Sequence, residues 1–144
     1  PLRKRMESAN PLQPLKDIFL KLHNSQFNFP FYVNENFILY KLLEKLEDVQ
    51  LSPGAFDLIY FDAFSPKVQP ELWTLDVFEK MFAALKIDGH LITYSSSGNV
   101  KKNLQAAGFK IELLPGPSGK RHITLAKKEI LPEACSHHHK NCGC

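Results

Sequence analysis

The chain has no cysteine before residue 135, and its three cysteines all fall within residues 135–144. A body without thiols excludes a disulfide-stapled core and fits a reducing compartment. No apolar run approaches the roughly 20 residues needed to cross a bilayer. The first residues, "PLRKRMESAN", are basic and polar, unlike the apolar stretch of a secretion signal. We therefore predict a cytoplasmic protein with no membrane partner.

Neither charge sign is in large excess, because 18 Lys and Arg residues oppose 15 Asp and Glu residues. The resulting net charge of +3 permits contact with a polyanion without requiring it. No G-x-S-x-G elbow is present, so hydrolase chemistry has no support. With 144 residues, the chain is long enough for one domain with a core and too short for two.

A buried strand is predicted at residues 56–61, "FDLIYF", because Leu58 to Phe61 contains no polar break. Such a run suits a parallel strand that is covered on both faces. Asp62 follows where the strand emerges, and ligands of open α/β sheets bind at the carboxyl ends of strands. Asp62 is therefore a candidate site residue. The alternative is that it only caps or bends the loop before the next helix.

Helices and strands alternate after this strand. A helical face over residues 72–85 is expected to end at Asp88-Gly89, and "LITYSSS" predicts a second buried strand. A helix stopped by Gly108 follows. The last strands, "FKIELLP" and "HITLAKK", are joined by a few residues and must be antiparallel. The predicted fold is an α/β sheet with a C-terminal antiparallel hairpin, as in the Rossmann-like methyltransferase topology and several other α/β folds.

The N-terminal third is less regular. Residues 14–24 predict a helix that begins at Pro14, and "SQFNFPFYVNEN" predicts a loop or an edge hairpin. "FILYKLLEKLEDV" has two interpretations, either a strand followed by a short helix or one amphipathic helix.

Five sequence blocks carry a family resemblance. They are "DAFSP" (62–66), "QPELWT" (69–74), T-Y-S-x-x-G (93–98), "AGF" (107–109) and P-G-P-x-G-K-R (115–121). In this order they closely resemble the bacterial tRNA 5-methylaminomethyl-2-thiouridine methyltransferases, both the stand-alone enzymes and the methyltransferase half of the bifunctional MnmC protein. The resemblance implies methyl transfer from S-adenosylmethionine to an exocyclic amine of the wobble uridine in tRNA. It leaves open whether an FAD-dependent oxidase domain or partner accompanies the chain.

The chain departs from this family at its start. Family members begin with a strand and a glycine-rich turn that cradle the methionine part of the cofactor, but no G-x-G occurs here before residue 142. We expect residues 1–130 to form a partial Rossmann-like class I methyltransferase domain whose N-terminal cofactor-binding strands are missing. Such a sheet exposes an edge and apolar faces, which predicts poor stability or self-association. The alternative function is a non-catalytic α/β remnant that binds RNA or a partner.

The resemblance assigns the catalytic role to Asp62. Methylating an amine requires its neutral lone pair, and an adjacent carboxylate orients the nitrogen and later takes a proton. Phe64 is assigned to the cofactor and the substrate, as an apolar wall for the sulfonium or the uracil ring. The alternative for Phe64 is a core position under the loop.

Glu44 and Ser95 are the other predicted cofactor contacts, with a solvated helix face and a turn as their respective alternatives. The pair Lys120 and Arg121 is predicted to bind substrate, through phosphate or the surroundings of the base, and its alternative is a solvated loop. Trp73 is more consistent with a core position than with base stacking.

The tail, residues 131–144, holds three Cys and three His side chains, which are usual zinc ligands. Because no C-x-x-C pair is present, we predict a disordered tail and assign no metal ligand. The alternative is a metal-binding or interaction element.

Overall fold

The computed structural model describes residues 13–116, 119 and 122–129. The chain divides into two compact units, residues 1–45 and residues 46–144. The predicted tail, residues 131–144, lies outside the described residues, and the predicted domain boundaries stay predictions.

The first unit contains one helix and one hairpin. The helix α1 spans Gln13–Asn24, which confirms the helix predicted from the apolar spacing. Strands β1 (Pro30–Asn34) and β2 (Phe37–Tyr40) pair antiparallel, so the hairpin interpretation is also confirmed. Residues 42–49 form no helix, which excludes the single amphipathic helix. Across the described part of the chain, no helix has the length and apolar character that a membrane crossing requires.

The second unit is a four-stranded sheet with helices packed on one face. The elements are β3 (Phe56–Phe61), a 3₁₀ turn (Pro70–Trp73), α2 (Leu75–Ala84), β4 (Leu85–Thr93), α3 (Gly98–Ala106), β5 (Lys110–Pro115) and β6 (His122–Lys127). The strand order is β3-β4-β6-β5; β3 and β4 run parallel, while β6 pairs antiparallel with both β4 and β5. This confirms the predicted alternation and the C-terminal antiparallel hairpin.

The predicted end of α2 at Asp88-Gly89 is wrong. The helix ends at Ala84, and Asp88-Gly89 lies inside β4. Asp88 has a φ of 62°, and the β3–β4 register shifts beside it. The Asp88 amide donates to the Lys128 carbonyl (2.8 Å), and the Gly89 carbonyl accepts from the Lys128 amide (3.0 Å). A Cβ at Gly89 would lie 2.8 Å from the Lys86 carbonyl oxygen. The Asp88-Gly89 pair therefore produces an irregularity within β4 and does not end the helix.

The prediction that β3 is buried on both faces is also wrong. Phe61 is 6% exposed, but Leu58 is 40% and Tyr60 is 74% exposed. The reason is that β3 has only β4 as a neighbour within the described sheet, and α2 and α3 pack on the face that contains Phe61. Leu58 and Tyr60 point to the other face, since successive strand residues alternate.

The core lies between the sheet, the 3₁₀ turn and the two helices. Trp73 is 4% exposed within it, which confirms its predicted core position. Its indole meets the rings of Phe61 and Phe78 edge to face, with centroids 4.9 and 6.3 Å away. The buried cluster consists of Phe61, Trp73, Val77, Phe78, Met81, Leu85, Leu91, Val100, Leu104, Ala107, Phe109 and Ala126.

The exposed apolar side chains of β3 make self-association an expected property. An edge strand offers unpaired backbone groups, and a charged side chain on it opposes pairing between molecules. We expect the chain to self-associate with rising concentration, and Tyr60→Lys to shift it toward monomer in sedimentation velocity. Gln105→Lys adds the same charge at an exposed position of α3 and serves as the control. Equal effects of the two variants would show that net charge, rather than the β3 edge, controls association.

Candidate active site

The candidate site lies where two parallel strands end. Phe61 and Thr93, the last residues of β3 and β4, are directly paired. The residues that follow them, from Asp62 and from Tyr94, therefore emerge at the same edge of the sheet. This is the edge at which open α/β sheets bind ligands.

A cavity of ≈ 490 Å³ opens between these two strand ends. Asp62 alone among its described lining residues carries a carboxylate, and its side chain is exposed. The lining consists of Asp62, Ala63, Phe64, Ser65, Gln69 and Tyr94. The cavity thus combines a solvent-accessible acid with an aromatic ring, which suits recognition of a cationic or amine-bearing group.

A second cavity of ≈ 640 Å³ adjoins the first, because Ser65 and Tyr94 line both. Hydroxyl groups dominate its walls, and Lys67 is the one charged side chain among its described lining residues. They are Ser65, Pro66, Lys67, Tyr94, Ser95, Ser96, Ser97 and Asn99. The first cavity is thus acidic and aromatic, whereas the second is polar and contains a cationic side chain.

The loop after Asp62 is held by hydrogen bonds to consecutive carbonyls. The Tyr94 hydroxyl donates to the Ala63 carbonyl (2.8 Å), and Trp73 Nε1–H donates to the Phe64 carbonyl (2.8 Å). The Phe64 ring nevertheless remains 73% exposed. Its alternative as a core residue under the loop is therefore wrong: the ring faces solvent beside Asp62 on a fixed backbone.

Ser95 lies at the same edge but is only 7% exposed. Its amide donates to Thr93 Oγ1 (3.3 Å), and its carbonyl accepts from Thr124 Oγ1 (2.8 Å), which joins the end of β4 to β6. Ser95 lines the second cavity rather than the first. Tyr94 lines both cavities and so connects the surroundings of Ser95 with those of Asp62, and the predicted cofactor contact of Ser95 stays a prediction.

The comparison with known proteins identifies the family. A family model described as S-adenosyl-L-methionine-dependent methyltransferase matches residues 7–129. The chain belongs to this family.

Relatives within this methyltransferase family include two curated bacterial proteins. Both are named tRNA 5-methylaminomethyl-2-thiouridine biosynthesis bifunctional protein MnmC. The protein from Cupriavidus metallidurans is 39% identical over 71 residues, which cover 49% of this chain and 11% of the relative. The protein from Ralstonia nicotianae is 39% identical over 77 residues, which cover 54% of this chain and 12% of the relative. The chain thus spans only a small part of the curated relatives it matches.

A solved structure supports the same methyltransferase fold. The crystal structure of MNMC2 from Aquifex aeolicus superposes with a TM-score of 0.63 and 29% sequence identity. The match covers 83% of this chain and 37% of the Aquifex protein. The predicted family and the predicted Rossmann-like methyltransferase fold are both confirmed.

Not every predicted methyltransferase residue is among the described residues that line the Asp62 cavity. Glu44 is exposed at a bend of the first unit, and the helix face proposed as its alternative is not formed. Its cofactor role stays a prediction. Lys120 and Arg121 lie outside the described residues. Among the residues that the structure describes, no group of three or more His, Cys, Asp or Glu side chains could hold a metal ion.

Sequence reasoning missed three functional candidates in this methyltransferase site. Lys67 and Gln69 line the cavities, and Trp73 fixes the loop through its indole N–H. Gln69 and Trp73 belong to the block "QPELWT", so their place in a family-like motif was visible. The direction of the indole toward the loop carbonyl was not, because it depends on packing between distant segments.

Proposed function

We propose that the protein acts in S-adenosylmethionine-dependent methyl transfer to the exocyclic amine of an aminomethyl-type wobble uridine in tRNA. The observation that carries the proposal is the exposed Asp62 carboxylate in a cavity at the carboxyl end of β3, beside the exposed Phe64 ring. The bifunctional MnmC relatives, whose name refers to tRNA 5-methylaminomethyl-2-thiouridine biosynthesis, support the substrate class.

The residues of the first cavity suit the methyl-donor end of S-adenosylmethionine. When bound, the cofactor supplies an electrophilic methyl group on a sulfonium. An exposed aromatic face attracts such a cation, and the volume of ≈ 490 Å³ is within the usual range of small-molecule sites. Phe64 would form the wall against the sulfonium or the uracil ring. Glu44 and Ser95 remain the proposed contacts for the rest of the cofactor.

Asp62 would orient and deprotonate the acceptor amine. Its carboxylate accepts a hydrogen bond from an N–H of the amine, so the nitrogen lone pair points in line with the methyl group. Transfer of the methyl group from the sulfonium to the amine would leave the nitrogen positively charged beside the Asp62 carboxylate. Asp62 would take the excess proton and, because it is exposed, could pass it to water.

Binding of tRNA would use cations outside the first cavity. Lys67 lines the adjoining cavity, and Lys120 and Arg121 stay proposed substrate contacts from the sequence. Arginine and lysine contacts to phosphates position a nucleic acid without reading its sequence. A cytoplasmic location and an FAD-dependent oxidase domain or partner also stay predictions.

The proposal is tested by cofactor binding followed by methylation. We expect isothermal titration to detect S-adenosylmethionine binding in the micromolar range. We also expect mass spectrometry of nucleosides to detect one added methyl group on tRNA that carries an aminomethyl-type wobble uridine. Matched tRNA without the aminomethyl group should gain no methyl group.

One observation favours a second candidate function, since no G-x-G occurs before residue 142. A non-catalytic α/β module would bind tRNA or a partner without binding the cofactor. Binding of tRNA in the absence of any cofactor binding or methyl transfer would support this module and contradict the enzyme.

A further inference from the structure

We propose that Tyr94 and Trp73 are positioning residues that set the directions of Asp62 and Phe64. This inference rests on the proposed function, because it concerns how the same site is held ready for methyl transfer. Neither residue is assigned a contact with the reacting atoms.

The two residues act on adjacent peptide planes. The Tyr94 hydroxyl binds the carbonyl of Ala63, which belongs to the plane between residues 63 and 64 (2.8 Å). The Trp73 indole binds the carbonyl of Phe64, which belongs to the plane between residues 64 and 65 (2.8 Å). The Cα of Phe64 lies between these planes, so restraining both of them restrains its φ and ψ. The direction in which the Cα–Cβ bond of Phe64 leaves the loop is thereby restrained through the backbone.

Asp62 is held between two anchors. Phe61, immediately before it, is 6% exposed and paired with Thr93 in the sheet. Ala63, immediately after it, is fixed by Tyr94. Within the described part of the chain, no side-chain or backbone hydrogen bond reaches the Asp62 carboxylate. The backbone on either side is therefore the main restraint on where this carboxylate points.

The anchors are themselves restrained. Trp73 is 4% exposed, and its carbonyl accepts a hydrogen bond from Asn103 Nδ2 on α3 (2.8 Å). Its ring meets the rings of Phe61 and Tyr94 edge to face, with centroids 4.9 and 6.1 Å away. The hydrogen bonds thus run from α3 through the 3₁₀ turn to the loop, while Tyr94 joins the end of β4 to the same loop. Because Trp73 is buried and the partly buried Tyr94 packs against it, these two anchors cannot easily follow a displaced loop.

The chemistry makes such restraint valuable. Methyl transfer needs the nitrogen, the methyl carbon and the sulfur in line, and a misplacement of about 1 Å can lower the rate roughly 10²-fold. A carboxylate on an unrestrained loop would sample many directions, few of which would orient the amine. Fixed carbonyls beside Asp62 narrow the range of these directions before the substrate arrives.

The test uses Tyr94→Phe, which removes one hydroxyl and keeps the ring. We expect kcat for methyl transfer to fall about 10-fold, the order of one net hydrogen bond, while the Kd for S-adenosylmethionine stays close to wild type. Tyr40→Phe is the matched control, because the Tyr40 hydroxyl also donates to a backbone carbonyl, that of Asn28 (3.0 Å), in the first unit. This control should leave kcat unchanged.

Hydrogen exchange and a double variant distinguish positioning from a general structural role. The amides of Val68 and Gln69 donate to the Ser65 carbonyl inside the loop, and we expect Tyr94→Phe to speed their exchange while Tyr40→Phe does not. In an Asp62→Asn background, Tyr94→Phe should lower kcat much less than it does in the wild type, because the positioned carboxylate is gone.

Equal rate losses in both backgrounds, or an unchanged kcat for Tyr94→Phe in an active wild type, would overturn the positioning role alone. A wild-type protein that transfers no methyl group would instead overturn the proposed function on which the inference rests.

Discussion

Asp62→Asn is expected to lower the rate constant of methyl transfer by roughly 10²–10⁴-fold, the usual contribution of a positioned acid or base. The amide keeps the size and the polarity of the side chain but loses the negative charge and the basic oxygen. The amine would then lack both the acceptor that orients it and the group that takes its proton. We expect the Kd for S-adenosylmethionine to change little, because Asp62 is proposed to act on the acceptor.

Asp62→Glu separates charge from geometry. It keeps the carboxylate but moves it outward by one methylene, so we expect a loss of about 10²-fold from misplacement. Asp88→Asn is the control, because Asp88 is exposed in the first half of β4 and its φ of 62° is one that asparagine tolerates. Single-turnover assays at saturating cofactor measure the effect. A rate for Asp62→Asn close to that of Asp88→Asn would remove Asp62 from the mechanism.

Phe78→Ala is expected to destabilise the second unit by about 3–5 kcal/mol, as is typical for a fully buried phenylalanine. Phe78 is 0% exposed, and its ring packs edge to face on Phe61 and Trp73, with centroids 5.9 and 6.3 Å away. The loss removes a large share of the roughly 5–15 kcal/mol that stabilises a typical domain. It also withdraws support from Phe61, the residue before Asp62.

Urea unfolding followed by circular dichroism measures this loss, with Phe64→Ala as the control. Phe64 loses the same atoms but is 73% exposed, so we expect a change within about 0.5 kcal/mol. Similar unfolding free energies for the two variants would contradict the assignment of Phe78 to the core and Phe64 to the surface.

The parts of the fold that are predicted correctly from the sequence are those that depend on local sequence patterns. The strand at residues 56–61 and the helix over residues 75–84 have apolar patterns of their own. The antiparallel pairing of β5 and β6 follows from the shortness of their connection. The place of Asp62 directly after β3 is likewise a property of the chain and not of the packing, whereas its catalytic role stays a prediction.

The features that are predicted wrongly depend on packing and hydrogen bonds between segments that are distant in the sequence. An Asp-Gly pair such as Asp88-Gly89 is compatible both with the end of a helix and with an irregular strand. Here the hydrogen bonds to the Lys128 backbone place it in the strand. The exposure of Tyr60 depends on which elements adjoin β3, which no local pattern reveals. The hydrogen bond from the Tyr94 hydroxyl to the Ala63 carbonyl joins residues 31 positions apart. No periodic sequence pattern predicts such a bond.

The indole of Trp73 has a practical consequence, because it is the single tryptophan in the chain. Its N–H is bonded to the carbonyl of Phe64, and its ring is buried against Phe61. Excitation at the long-wavelength end of the protein absorption band selects tryptophan over tyrosine. The fluorescence then comes from Trp73 alone, which is bonded to the loop two residues after Asp62. The intrinsic fluorescence of the unlabelled protein therefore reports on the conformation of the loop. Any ligand that displaces the loop should shift the emission maximum or change the emission intensity.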